Sequence, residues 1–138
     1  MNDKRIAIID ENHEFVEGLE QILTISGYVP IAVKDACLAV EALIQNDPDV
    51  ILLELKMPRK NGFELADEIN RVFETKRIPI IAMSESFKSE FNSLFSLCGI
   101  TRFLKKPFNP LDVIWAIESL AEPRVRWDAE LSCANEAL

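Results

Sequence analysis

The chain has 138 residues, 49% of them hydrophobic and 28% charged, which suits one domain with a core of its own. A formal net charge of −8 argues against charge-driven binding to nucleic acid or to a membrane surface. No apolar run reaches the roughly 20 residues of a membrane span, and MNDKRIAIID has no signal-peptide pattern, so the expected compartment is the cytoplasm.

Arg5–Asp10 reads as a short buried strand ending in the acid pair Asp10-Glu11. His13–Ser26 carries Phe15, Leu19, Ile22 and Leu23 at helical spacing, and Gly27 stops it. Tyr28–Val33 is a second strand. Pro30 within it has no N–H for a ladder, which puts this strand at a sheet edge. Asp35 is placed to cap a second helix with Leu38, Ala39, Ala42 and Leu43 on one face, broken by Asp47-Pro48. Val50–Leu53 is the most apolar strand and belongs at the sheet centre. It runs into Glu54 and a Met57-Pro58 turn closed by Asn61-Gly62.

Gly62–Phe73 gives a third helix with Phe63, Leu65, Ala66 and Ile69 inward. Ile78–Met83 is the fourth strand, with Ser84 after it, and Phe87–Cys98 the fourth helix. Thr101–Lys105 is the fifth strand, followed by Lys106-Pro107, and Asn109–Leu120 the fifth helix. Five strands alternating with five helices predict an α/β, doubly wound fold: a parallel sheet with helices on both faces. Residues 1–121 make the domain and 122–138 a tail. In that tail Trp127, Leu131, Ala134 and Leu138 form a helical stripe, compatible with a sixth helix, a frayed end or a linker stub.

Other chemistries find little support. Cys37, Cys98 and Cys133 are odd in number and widely spaced, the pattern of idle thiols in a reducing compartment. His13 has no second histidine for a metal site and no nucleophile pattern near it, so neither a catalytic triad nor an enzyme is expected. A flavodoxin-like cofactor binder is disfavoured, because Asp10-Glu11-Asn12-His13 stands where a Gly-rich phosphate loop would follow the first strand.

What remains is a set of polar strand ends: Asp10 and Glu11, Glu54, Ser84 and Lys106. A charge that ends a buried strand is costly unless something there uses it. In open α/β sheets ligands sit beyond the carboxyl ends of the strands, at the reversal of strand order. With the order 2-1-3-4-5, Asp10, Glu11 and Glu54 meet there. Three crowded carboxylates want a cation, and all-oxygen ligation favours Mg²⁺. Lys106 then stands opposite as a fixed positive charge, and the Ser84 hydroxyl can face an anion.

Over about residues 4–121 this layout resembles the receiver domain of two-component response regulators, a flavodoxin-like fold. The resemblance implies an acid pair, Asp10 and Glu11, that holds Mg²⁺ together with residue 54 and the Lys56 carbonyl. It implies phosphoryl-binding roles for Ser84 and Lys106, a cis bond to Pro107, a switch aromatic at Phe103, and a histidine kinase or downstream output protein as partner. The family's phosphate-accepting aspartate corresponds to Glu54 here. One extra methylene displaces the carboxylate by about a bond length, and in-line transfer tolerates such an error poorly, at ~10²-fold or more. The expected function is therefore a phosphorylation-independent protein-interaction module, with Glu54 engaging Lys106 and Ser84, and Lys106 able to neutralise the pocket without Mg²⁺. The alternative is a working phosphoacceptor at Glu54. Glu85, where the family prefers a small residue, adds negative charge at the mouth or points to solvent.

The inward face of the fifth helix is satisfied by Val113, Ile114, Ile117 and Leu120, which leaves Leu111 and Trp115 on another stripe. The fourth helix, with Phe87, Phe91, Leu94, Phe95 and Leu97, has more apolar bulk than one face hides. Unless the tail covers it, this surface is expected to serve a homodimer or partner, as it does in receivers, with Leu111, Trp115, Phe91 and Phe95 in the interface.

Overall fold

A computed structural model describes residues 3–120. The strands are β1 (Arg5–Ile9), β2 (Val29–Val33), β3 (Val50–Glu54), β4 (Ile80–Ser84) and β5 (Ile100–Lys105). The helices between and after them are α1 (His13–Ile25), α2 (Ala39–Asn46), α3 (Gly62–Val72), α4 (Phe91–Cys98) and α5 (Pro110–Ser119). All neighbouring strands pair in parallel, in the order β2-β1-β3-β4-β5. The expected order and the edge position of β2 both hold.

Because side chains alternate across a strand, the sheet divides its apolar residues between two cores. Ala7, Ile9, Ile51, Leu53 and Ala82 face α2, α3 and α4. Ile6, Ile8, Leu52, Ile81 and Met83 face α1 and α5. β1, β3 and β4 lie inside the sheet, and their apolar residues are fully covered on both faces. Each such Leu or Ile contributes about 1.5–3 kcal/mol of burial, which fixes the frame that carries the strand ends.

Caps set the entry of each chain segment into its helix. Asn12 Oδ1 accepts the Phe15 N–H at 3.1 Å, directly after the acid pair. Asn61 Oδ1 accepts from Phe63 and Glu64 at the start of α3, and Asn109 with Asp112 forms a reciprocal capping box on α5. α1 is capped at Ser26 and followed by Gly27, whose φ of 91° suits a residue without Cβ.

Three expectations need correction. Asp35 caps a short 3₁₀ turn, Ala36–Leu38, by accepting the Cys37 N–H; α2 starts only at Ala39, and Leu38 is turned out to solvent. α4 begins at Phe91, four residues later than its aromatic spacing suggested. Lys88 and Ser89 carbonyls accept from Phe91 and Asn92 in tight turns before the helix forms. On α1 the buried stripe is Val16, Leu19 and Leu23, so Phe15 and Ile22 are only half-buried. The tail stripe from Trp127 onward lies outside the described residues.

Candidate functional site

The parallel register brings the carboxyl ends of four strands level: Ile9 pairs with Leu53, Glu54 with Met83, and Ser84 with Lys105. Asp10 follows β1, Glu54 and Ser84 end β3 and β4, and Lys106 follows β5. Asp10 and Glu54 are only 3% and 6% exposed, a depth that requires compensation for each charge.

Lys106 supplies it. Its Nζ donates to Asp10 Oδ2 at 2.8 Å and to Glu54 Oε1 at 2.6 Å. The remaining oxygens are met by backbone: the Asn12 N–H donates to Asp10 Oδ1 at 2.9 Å, and the Lys56 N–H to Glu54 Oε2 at 2.8 Å. Both carboxylates are thus satisfied at each oxygen, the condition under which buried charge is tolerated. The Lys106 N–H donates to the Ser84 carbonyl, which ties the β5 exit to β4. Its bond to Pro107 is cis, as the resemblance implied. Burial works against the Lys106 charge, but hydrogen bonds and attraction from Asp10 and Glu54 outweigh it and hold its pKa above the ordinary lysine value. The ammonium also lies over the face of the Phe15 ring, 3.9 Å from its centroid.

The other expected members are arranged differently. Glu11 is half-buried and takes no part in this network. Among the described residues no three acidic, histidine or cysteine side chains gather closely enough to hold a metal ion. The expected meeting of Asp10, Glu11 and Glu54 is corrected accordingly: the ammonium bonds the two inner carboxylates, and Glu11 stands apart from them. Ser84 is buried, but its hydroxyl makes no hydrogen bond to Glu54, whose contacts go to Lys106 and Lys56. Lys56 belongs to the site through its N–H, and its backbone bridges to Asn61 ahead of α3. Glu85 is exposed.

Phe103 is half-buried and stacks on Phe95 at 5.6 Å, with Phe87 tilted against it at 5.3 Å. Phe91 and Phe95, expected at an outer surface, turn to Phe63 at 5.1 and 5.9 Å and pack on the core. With α4 starting at Phe91, the Phe91, Phe95, Cys98 stripe becomes its inward face. Leu97 on α4, 77% exposed, and Leu111 and Trp115 on α5, 73% and 49% exposed, lie on the apolar exterior, along with Leu94 and Phe87.

Phe15 enters the site through its ring over Lys106, a role its sequence position does not single out. In the sequence Phe15 falls on the apolar stripe of the first helix, and the one signal for another role is an aromatic in the first helical turn after an acid pair.

The pattern of the response regulator receiver domain matches residues 6–118. The chain belongs to this family. The receiver is 34% identical over 110 residues to ARR21 of Arabidopsis thaliana, a two-component response regulator, covering 78% of this chain and 17% of that protein. It is 27% identical over 127 residues to the transcriptional regulatory protein CpxR of Escherichia coli K12, covering 91% of this chain and 52% of CpxR. The chain therefore spans about half, or less, of the length of these relatives. The Vibrio cholerae chemotaxis protein CheY4 superposes with a TM-score of 0.81 at 22% identity, over 86% of this chain and 98% of CheY4. The N-terminal domain of the nisin resistance regulator NsrR gives 0.72 at 26% identity, over 86% and 97%. The receiver is a domain of two-component signalling. Among its described residues no helix is long and apolar enough to cross a membrane.

Proposed function

We propose that this receiver is a phosphorylation-independent protein-interaction module, in which Glu54 stands at the family's phosphate-accepting position. The observation that carries this reading is the 2.6 Å contact from Lys106 Nζ to Glu54 Oε1, completed by Asp10. An acyl phosphate requires a carboxylate oxygen free to attack and a cation free to receive the phosphoryl oxygens. Here both Glu54 oxygens already accept hydrogen bonds, and the cation is engaged. The internal ammonium also supplies the neutralising charge, so the reading needs no Mg²⁺.

The test is intact-mass measurement after exposure to a small-molecule acyl phosphate with Mg²⁺. The mass is expected to stay unchanged, while Glu54→Asp, with its shorter reach, is expected to gain one phosphoryl group. A phosphoryl adduct on Glu54 itself overturns the proposal and makes the domain a working phosphoacceptor for a histidine kinase.

The module binds through the outer surface of α4, β5 and α5, where Leu97, Leu111 and Trp115 project. Exposed apolar side chains on these elements favour a protein partner, either an output protein or a second copy. Trp115→Glu is expected to abolish self-association in sedimentation, or partner recovery in a pull-down, without unfolding the domain. If neither changes, the interface lies elsewhere.

A further inference from the structure

We propose that Phe15 is a positioning residue: its ring clamps the Lys106 ammonium onto Asp10 and Glu54 and makes that ammonium the resident counter-cation of the site. A lysine stem has many rotamers, and two hydrogen bonds approaching from the sheet side leave the rest of the ammonium open. The Phe15 ring lies against it, with the centroid 3.9 Å from Nζ. The face of an aromatic ring is negative, so this geometry attracts the charge while keeping water away from it.

The ring is itself braced. Phe108 meets Phe15 edge-on, with centroids 5.7 Å apart and planes at 82°. Phe108 lies two residues beyond Lys106, so a single short segment delivers both the cation and the brace of its clamp. Core packing alone does not account for the placement. The buried stripe of α1 runs through Val16, Leu19 and Leu23; Phe15 packs at the margin of that core, half-buried in the first turn, with its ring face left to the ammonium. Asp10, Glu54 and the Phe15 ring thus surround one ammonium from three elements, and that ammonium supplies internally part of the positive charge that an open acid pocket would call for. The Phe15 contact is tested in the unphosphorylated chain, so the outcome is separate from whether Glu54 accepts a phosphoryl group.

The experiment is ammonium-selective NMR on the full chain carrying ¹⁵N-lysine. Lys106 is expected to give an upfield, ring-shifted resonance with slow hydrogen exchange. Phe15→Leu should remove the ring shift and accelerate exchange about tenfold, the scale of a desolvated cation–π contact, while the backbone amide spectrum stays native. Phe15→Tyr, which keeps the aromatic face, should retain both signatures. Excess Mg²⁺ added to the intact chain should leave the resonance in place. An unchanged Lys106 signal in Phe15→Leu overturns the clamp, as does failure of Phe15→Tyr to retain it, or loss of the ring shift on adding Mg²⁺. Should Phe15→Leu fail to fold, Phe15→Met, a non-aromatic side chain of similar bulk, is read in the same way.

Discussion

Lys106→Met is expected to cost about 3–5 kcal/mol of folding stability, the range for removing one partner of a buried ionic network. Methionine keeps most of the stem and its packing, so the loss isolates the ammonium. What remains is Asp10 and Glu54, both buried, facing each other with no cation between them. Denaturant unfolding of the two chains at neutral pH measures the difference; a loss below about 1 kcal/mol would class the contact with surface ion pairs. The pH dependence has a defined sign. The folded Lys106 pKa is raised, so its contribution is fully present below the ordinary lysine value and is lost as pH rises through the folded value. The gap between the two chains should therefore be present at neutrality and close in strong alkali. Neutralising all three groups, as Lys106→Met with Asp10→Asn and Glu54→Gln, should recover much of the loss, because no unpaired charge is then left inside.

Gly62→Ala is expected to destabilise by about 1–3 kcal/mol, at the upper end for overpacking, and to disturb the site as well. A Cβ at this position would stand 2.5 Å from Leu55 Cα, 2.7 Å from the Glu54 carbonyl oxygen and 2.8 Å from that of Leu55. All three are backbone atoms, so no flexible side chain can yield. Gly62 also donates its N–H to the Leu55 carbonyl at 3.0 Å, which pins the start of α3 against the end of β3. Relief requires the chain after Glu54 to move, and with it the Lys56 N–H that holds Glu54 Oε2. Thermal unfolding should show the loss, and the Lys106 ammonium resonance should shift with it. A variant as stable as the parent, with an unmoved resonance, would mean that α3 slides freely.

The frame was legible because it rests on periodicity and composition. Alternating strands and helices dictated the parallel sheet, Pro30 marked its edge, and the unbroken apolar run of Val50–Leu53 marked its middle. The charges at strand ends were legible for the same reason: Glu54 and Lys106 interrupt apolar segments, and the fold turns them toward one point. Direction was harder to read. Asp10 and Glu11 are neighbours in sequence, yet adjacent residues leave a strand end on different sides, and only Asp10 enters the network. The one sequence signal for the Phe15 contact, an aromatic in the first helical turn after an acid pair, satisfies the core pattern equally well and so does not single it out. The spacing of Phe87, Phe91 and Phe95 imitates a continuous helix, but the backbone instead spends Lys88 and Ser89 on turns.

The position of Pro30 also bears on how the protein behaves at high concentration. In β2 the Val29 N–H reaches inward to the Lys4 carbonyl, so alternate residues, Pro30 among them, point their nitrogens at the open side of the sheet. Proline has no hydrogen to offer there. The strand loses nothing toward β1, while a second chain arriving edge-on meets a gap in the row of donors it would need to extend the sheet. Resistance to growth by strand addition, the first step toward insoluble aggregates, is thereby written into one residue that the fold itself does not feel.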